Sequence, residues 1–251
     1  MGITKQNAAP EFGGGKSDAH VGAKKEKQKK EVTMPPTGNE PQTCFVWLPK
    51  TAGSSLTAYL NIDARWDRPE TGPGQRPVTT FSHCGLQALV RAGHVTPEWL
   101  AGVRLFSVVR HPHERAVSLF RYQQRRGDIP RSVRFADFVE ALWARRAEIP
   151  DPGPTNLIRW PGCTWAANQW APQHKWLDGL GDVRLLRFER LHEDVGALVR
   201  DWGLATTGDL IPRVNAGRRT DARRWYNRPG LKEKITELYA EDFRRFGYSP
   251  W

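Results

Sequence analysis

Short apolar runs alternate with segments of helical spacing from residue 44 to the end of the chain, and this alternation limits the fold more than any other feature. Runs of about four to eight apolar or β-branched residues, bounded by Pro, Gly or polar residues, are typical of buried strands. The sequence predicts four strands, at Cys44–Leu48, Val78–Ser82, Val103–Val109 and Val183–Phe188. It predicts helices at Gly53–Asn61, Leu86–Ala92, Pro112–Arg126, Phe135–Ile149, Gln169–Leu180, Glu189–Trp202 and Leu231–Phe246, and one that starts at Pro97 behind an N-cap at Thr96. Strands that alternate with helices form a mostly parallel sheet covered on both faces, so we expect a single α/β domain with a central sheet flanked by helices.

The topology also predicts where a ligand binds. In open parallel sheets, ligands bind beyond the carboxyl ends of the strands. Residues directly after Leu48, Phe81 and Val109 should therefore share one rim of the sheet. We expect the chemistry of the protein at this rim.

Residues 1–43 differ in composition from the rest of the chain. They contain Gly13-Gly14-Gly15 and seven of the eleven lysines, carry no arginine, and lack any apolar period. We interpret them as a disordered tail or an added leader. The folded domain is then expected to span residues 44–251.

The formal net charge of +11 admits nucleic acid, an anionic membrane surface or a small anionic molecule as the partner. The arginines are scattered along residues 44–251 and not massed in one block, which favours phosphate recognition over a nucleic-acid-binding tail. The sequence has no run of about 18 apolar residues, so we expect no membrane span. Cys44, Cys84 and Cys163 have neither close pairing nor metal-ligand spacing, which predicts a reduced, cytoplasmic protein without a bound metal.

The loop Pro49–Ser55, with the sequence PKTAGSS, follows the first predicted strand. A strand, a tight turn with a glycine and a helix start aim main-chain N–H groups at one point, and an anion is favoured there. Lys50 adds an ammonium group, and three hydroxyl side chains can donate hydrogen bonds. The candidate anion ligands are Lys50, Thr51, Ala52, Gly53, Ser54 and Ser55. The loop is P-loop-like, but a Walker A motif places its lysine after the second glycine, whereas Lys50 precedes Gly53.

A second candidate phosphate site follows the strand Val103–Val109. Because a proline disfavours helical conformation in the residue before it, Pro112 should keep Arg110 and His111 extended at the strand end. Arg110, from the strand end, and Ser118, inside the next helix, can then converge on one phosphate. An arginine suits this role because its planar fork donates two parallel hydrogen bonds to phosphate oxygens.

The two motifs resemble those of the PAPS-dependent sulfotransferase superfamily. The first looks like its 5′-phosphosulfate loop, with the pattern P-K-T-x-G-[ST]-[ST] after a strand, and is closest to the branch of heparan sulfate 2-O-sulfotransferases and related bacterial enzymes. The second, R-x-P-x-x-R-x-x-S-x-[FY], looks like the 3′-phosphate site, which the resemblance assigns to Arg110 and Ser118. Arg115 would be structural there or form a surface salt bridge. The resemblance covers Cys44 to Trp251.

The resemblance implies a P-loop-like nucleotide-binding core and a sulfotransferase activity. The donor would be PAPS (3′-phosphoadenosine 5′-phosphosulfate), the product PAP (adenosine 3′,5′-bisphosphate), and the partner a hydroxyl-bearing acceptor, with no metal required. Near the end of the chain, Asn215–Arg219 resembles the late loop that closes over the nucleotide. Either Arg218 or Arg219 would contact the 3′-phosphate or cover the adenine, and their spacing does not choose between them.

Sulfuryl transfer needs positive charge at the leaving phosphate and a general base for the acceptor hydroxyl. Lys50 is placed for the first role. His83 directly follows the second strand and is placed for the second role. The stretch FSHC around His83 is similar to the Gly-His segment of the family, with Ser82 where a glycine is commoner. The alternative bases are His111 and Glu70.

Four tryptophans, at residues 160, 165, 170 and 176, crowd one short region. They could form a platform for the acceptor, but we favour core packing. The acceptor is expected to contact the loops at 62–77, 127–134 and 150–167. Its class stays open between sugar, phenol, lipid, peptide tyrosine and small natural product.

Two rival functions follow from the same residues. A P-loop-type kinase shares the strand–loop–helix arrangement but needs magnesium ligands, and no apolar strand in this sequence ends in Asp. A non-enzymatic anion-binding or nucleic-acid-binding protein fits the charge, although no zinc-finger, RNA-recognition or helix–turn–helix signature is present. We therefore expect no nucleic-acid partner.

Overall fold

The computed structural model describes residues 42–64, 76–155, 166–214 and 221–251. Within these ranges five strands form one sheet: β1 (Thr43–Val46), β2 (Asp63–Ala64), β3 (Val78–Thr80), β4 (Arg104–Val109) and β5 (Val183–Arg187). The order across the sheet is β2-β3-β1-β4-β5, and every neighbouring pair is parallel. The predicted α/β fold with a central parallel sheet is confirmed. The two-residue strand β2 was not predicted.

Helices flank this sheet. The α-helices are α1 (Gly53–Tyr59), α2 (Leu86–Arg91), α3 (Pro97–Gly102), α4 (Pro112–Arg126), α5 (Phe135–Ala144), α6 (Leu191–Trp202), α7 (Leu231–Leu238) and α8 (Ala240–Phe246). Short 3-10 helices span Arg146–Glu148, Ala167–Trp170, Gln173–Trp176, Phe188–Arg190 and Ala222–Trp225. In the described ranges, none of these helices has the length and apolar character needed to cross a membrane.

The central strand β1 is buried on both faces. Its side chains alternate, so that Cys44 and Val46 pack into one apolar cluster with Leu105 and Val109 of β4. Phe45 packs into a second cluster, on the opposite side of the strand, with Leu56 of α1 and Leu198 of α6. Burial on both faces explains why this strand is continuously apolar in the sequence.

The register of β1 against β4 places two loops side by side. Thr43 lies opposite Arg104, and Val46 lies opposite Ser107. The two strands therefore run in step, and the chain leaves the sheet at the same rim after each of them. The chain leaves β3, which pairs with β1 on its other side, at this rim too.

Three predicted helices differ from the structure by more than two residues. The α-helix predicted within Gln169–Leu180, after Pro172, is wrong, because only a 3-10 helix, Gln173–Trp176, follows this proline. Pro172 has no N–H to donate and keeps Ala171 extended, which separates this 3-10 helix from the one at Ala167–Trp170. The helix Phe135–Ile149 ends at Ala144, ahead of Pro150, with one 3-10 turn in between.

The predicted terminal helix is divided into α7 and α8. The main chain at Tyr239 leaves helical values, with φ −113° and ψ 25°. The Tyr239 side chain is fully buried, and its hydroxyl donates to the Trp170 carbonyl at 3.0 Å. Tertiary packing therefore overrides the helical spacing of the sequence at this point.

Candidate active site

The loop Pro49–Ser55 joins β1 to α1 and holds a main-chain conformation that is rare outside glycine. Lys50 and Ala52 have positive φ values of 67° and 71°. Such conformations cost of order 1–3 kcal/mol each and persist only where the surroundings enforce them. Thr51 is fully buried between them, and its hydroxyl donates to the Leu48 carbonyl at 2.9 Å. That proton is used within the loop, so Thr51 could bind an anion only through its N–H.

Gly53 begins α1 against the indole ring of Trp47. A Cβ atom at residue 53 would lie 1.6 Å from Trp47 Nε1, where no side chain fits. The glycine of the motif is therefore required by the packing of the tryptophan that precedes the loop.

The two serines of the loop have different surroundings. Ser54 is half-buried. Ser55 is buried, and its hydroxyl oxygen accepts a hydrogen bond from the Val214 N–H at 3.1 Å. Val214 directly precedes residues 215–220. This segment, with the predicted ligands Arg218 and Arg219, lies outside the described residues.

The Lys50 ammonium lies over the face of an aromatic ring on α4. Its Nζ atom is 4.0 Å from the centre of the Tyr122 ring, a distance at which a cation is attracted to the π-electrons. Burial, and then the neighbouring cations Arg125 and Arg110, lower the pKa of Lys50 to about 8. Lys50 therefore remains largely protonated at neutral pH, close to other positive groups.

Arg110 follows the last residue of β4 and reaches toward the first loop. Its guanidinium Nη1 donates to the Lys50 carbonyl at 3.4 Å, and Nη2 donates to the Glu114 carboxylate at 3.1 Å. The plane of the guanidinium lies over the Phe188 ring, 4.0 Å from its centre. The two loops identified in the sequence are therefore in direct contact at the rim.

Helix α4 carries Ser118 and Arg115, which have different surroundings. Ser118 is half-buried, one turn before Tyr122, the ring under the Lys50 ammonium. Arg115 is 1% exposed, and its guanidinium donates to the main-chain carbonyls of Pro49, Gln169 and Ala171 at 3.2, 2.8 and 3.0 Å. Arg115 therefore links the first loop to the segment 169–171. The structural role is confirmed for it, through carbonyl groups and not through a surface salt bridge.

His83 lies at the same rim, just after β3. Its Nδ1 atom is 2.9 Å from the Trp47 carbonyl. Because a carbonyl oxygen only accepts, Nδ1 carries the proton of the neutral ring, and Nε2 is the basic nitrogen. Burial, together with the nearby Lys50 and Arg115 cations, lowers the pKa of His83 to about 4, although the hydrogen bond to Trp47 opposes this.

The main chain at Ser82, the residue before His83, shows why the family more often has a glycine there. Ser82 is buried with a positive φ of 55°. Glycine adopts this conformation without strain. A glycine would therefore fit residue 82 better than the serine that occupies it.

The alternative bases and the tryptophan cluster have these positions. The His111 ring stacks on Trp251, with ring centres 5.1 Å apart, and its Nε2 is 3.0 Å from the Ser249 carbonyl, so it packs against the last residues of the chain. Trp170 and Trp176 are buried in the core, as the packing interpretation predicts. The remaining predictions, Glu70, Trp160 and Trp165, lie outside the described residues.

Sequence reasoning missed Tyr122 and Gln173. Tyr122 holds the Lys50 ammonium, and Gln173 bonds the main chain of Arg110. Tyr122 lies one turn beyond Ser118, in the helix that the second motif begins, so helical spacing was a usable signal. No local pattern marks Gln173.

Positive charge is concentrated where the two loops meet. Lys50, Arg110 and Arg125 are close enough for the two arginines to lower the pKa of the lysine, and Glu114 balances part of the charge. The rim can therefore bind a ligand with negative charge at two points, beside a histidine that is neutral at pH 7. In the part of the chain that the structure describes, no group of three His, Cys, Asp or Glu side chains could hold a metal ion.

The chain was compared with known protein families, curated sequences and solved structures. A family model described as "Sulfotransferase family" matches residues 40–249. The crystal structure of a sulfotransferase from Alicyclobacillus acidocaldarius is similar with a TM-score of 0.46 and 19% sequence identity, over 81% of this chain and 93% of that chain. No curated protein sequence matched the chain.

Proposed function

The chain belongs to the sulfotransferase family, and we propose that it transfers the sulfuryl group of PAPS to a hydroxyl acceptor by in-line displacement. The observation that carries this proposal is the meeting of three groups at one rim. Arg110 donates to the main chain of Lys50 at 3.4 Å, and His83 is bonded to the carbonyl of Trp47, three residues before Lys50. A nucleotide with phosphate groups at both ends needs two anion sites, and the two loops offer one each.

The residues would bind the donor as follows. Lys50, the main-chain N–H groups of residues 51–54 and the hydroxyls of Ser54 and Ser55 bind its 5′ end, since the Ser55 N–H donates to the Ala52 carbonyl at 2.9 Å. Arg110 and Ser118 bind its 3′-phosphate, with Arg218 or Arg219 closing over the nucleotide. The concentration of cations at the rim supports this assignment, because a dianionic or trianionic ligand would offset their mutual repulsion.

When bound, the donor supplies an activated sulfuryl group on a phosphate leaving group. The Lys50 ammonium stabilises the negative charge that develops on the bridging oxygen as the sulfur–oxygen bond breaks. Nε2 of His83 accepts the proton of the acceptor hydroxyl as the new sulfur–oxygen bond forms. No metal ion takes part in these steps.

The low pKa of His83 fits a base that must be neutral before the reaction. Two nearby cations and burial keep its ring unprotonated. A bound anion beside Lys50 offsets the positive charge of the nearby cations and raises the pKa of His83 toward its ordinary value. His83 is then a stronger base when the donor is present.

The acceptor and the cellular location are further parts of the proposal. A sugar, phenol, lipid, peptide tyrosine or small natural product would enter from the loops at 62–77, 127–134 and 150–167. Cys44 and Cys84 are buried free thiols, which supports the prediction of a reduced, cytoplasmic protein.

The function is tested by incubating the purified chain with PAPS and a panel of hydroxyl compounds, with and without a magnesium chelator. We expect one acceptor to gain the mass of a sulfuryl group, equally in both conditions. Transfer of phosphate from ATP that the chelator abolishes would establish the kinase instead. Binding of DNA or RNA with a steep salt dependence, without any transfer, would establish the nucleic-acid-binding alternative.

A further inference from the structure

The side chain of Gln173 makes two hydrogen bonds to the main chain of Arg110. The Arg110 N–H donates to Gln173 Oε1 at 2.9 Å, and Gln173 Nε2 donates to the Arg110 carbonyl at 2.9 Å. Gln173 is fully buried. Its amide therefore extends the hydrogen bonding of β4 by one residue, and both polar groups of the Arg110 main chain are fixed.

Gln173 is in turn held by a buried carboxylate. Asp242 of α8 accepts hydrogen bonds from the main-chain N–H of Gln173 at 2.7 Å and of His174 at 2.9 Å. The His174 ring nitrogen Nδ1 lies 2.9 Å from the same carboxylate. Asp242 is 0% exposed, and burying a carboxylate is unfavourable unless hydrogen bonds and a charge partner compensate. The Asp242 carboxylate therefore fixes the main chain at the start of the segment that contains Gln173.

The guanidinium of Arg110 depends on this support. Its contacts are the flat face of Phe188, the half-exposed carboxylate of Glu114 and a long 3.4 Å bond to the Lys50 carbonyl. These contacts orient the guanidinium end of the side chain but do not fix the main chain of Arg110. The two hydrogen bonds from Gln173 fix the main chain, because they hold the Arg110 N–H and carbonyl at the end of β4.

We propose that Gln173, held in place by Asp242, is a positioning residue that aligns Arg110 with the 3′-phosphate of the donor. This inference rests on the proposed function, in which Arg110 is a 3′-phosphate ligand. Gln173 does not contact the donor. Its main effect is on the half of the nucleotide that Arg110 binds, and the 5′ end on the Lys50 loop is affected less.

The test compares two nucleotides that differ only in the 3′-phosphate. Calorimetric titration gives the dissociation constants of adenosine 3′,5′-bisphosphate and adenosine 5′-monophosphate. The ratio used here, the dissociation constant of the monophosphate divided by that of the bisphosphate, measures what the 3′-phosphate contributes. The test variant is Gln173→Met, which keeps the length of the side chain and removes both bonds. The control is Gln123→Met, because Gln123 is also fully buried and its side chain accepts from Trp170 Nε1 at 2.9 Å and not from a residue of either loop.

We expect Gln173→Met to lower the ratio by about tenfold, the loss of roughly one charge-assisted hydrogen bond, with little change in the binding of the monophosphate. Gln123→Met should lower thermal stability and leave the ratio unchanged. If Gln173→Met does not fold, Gln173→Asn serves instead, since it keeps a neutral amide that is too short to bond both groups of the Arg110 main chain, and it should also lower the ratio.

Three outcomes overturn the inference or its premise separately. An unchanged ratio in a folded Gln173 variant contradicts the positioning role. An equal loss of affinity for both nucleotides assigns Gln173 to general stability of the fold and also contradicts it. A wild-type ratio near one means that the protein has no 3′-phosphate site, and then the proposed function itself is wrong.

Discussion

Replacing Gly53 by alanine tests the packing that shapes the first loop. The new Cβ would lie 1.6 Å from Trp47 Nε1, whereas ordinary contacts begin near 3.4 Å, so the indole or the helix start must move by roughly 2 Å. Trp47 is 3% exposed and packs among other buried side chains, so it has little space into which to move. Overpacking of this kind costs about 2–3 kcal/mol, and the gain in helix propensity is smaller than this.

The matched control is Gly196→Ala in the middle of α6. Its nearest neighbour would be the flexible end of Arg200, at 3.6 Å, and its main chain is ordinary helix. Alanine there should stabilise the protein by about 0.5–1 kcal/mol. The same chemical change is therefore expected to have opposite signs at the two glycines.

The assay is urea unfolding followed by circular dichroism, together with the dissociation constant of adenosine 3′,5′-bisphosphate. Gly53→Ala should lower both the free energy of unfolding and the affinity for the bisphosphate. The double variant Gly53→Ala/Trp47→Leu should be more stable than the sum of the single effects allows, because the leucine removes the atoms that clash. The reasoning is refuted if Gly53→Ala is as stable as the wild type, or if the two substitutions are additive.

Three further predictions concern charge and burial. In the wild type, the affinity for adenosine 3′,5′-bisphosphate should fall by about tenfold above pH 8, because Lys50, with a pKa of about 8, loses its proton. In Lys50→Arg the affinity should stay constant over the same range. Parallel curves of affinity against pH for the two proteins would contradict this. Burial lowers the pKa of His113 from 6.5 to about 4, so the unfolded chain binds a proton first as the pH falls, and the wild type should lose up to about 3 kcal/mol of stability between pH 6.5 and 4. In His113→Gln, the free energy of unfolding in urea should depend less on pH over that range. An unchanged pH dependence would show that His113 is not the group responsible. Arg115→Lys should lower the free energy of unfolding by about 2–4 kcal/mol, because one ammonium cannot serve three separate carbonyls; a loss below about 0.5 kcal/mol would show that the carbonyls find other donors.

Much of the sheet and both loops could be predicted because they depend on adjacent residues. The strand before Pro49 is buried on both faces, which makes its apolar run continuous, and the phosphate motifs are short and local. His83 was predicted at the rim for the same reason, since it directly follows a strand. Its tautomer was not accessible, because that depends on the distant carbonyl of Trp47.

The features that sequence reasoning missed are those that join distant parts of the chain. Gln173 meets Arg110 across 63 residues. The segment after Pro172 forms a 3-10 helix and not the predicted α-helix, and its first N–H groups bond the distant carboxylate of Asp242. The positive φ values of Lys50 and Ala52 are set by the packing around them, and neither residue type predicts that conformation. Local patterns thus indicated the candidate ligand groups, and long-range contacts decided the orientation of those groups.

The division of roles between Lys50 and His83 is the central claim of this account. The most direct measurement follows sulfuryl transfer from PAPS to an identified acceptor, and the dissociation constant of PAP, in Lys50→Ala and His83→Ala. We predict that Lys50→Ala loses transfer and binds PAP more weakly, and that His83→Ala loses transfer but binds PAP as the wild type does. Full transfer activity in His83→Ala, or wild-type transfer and PAP binding in Lys50→Ala, would contradict it.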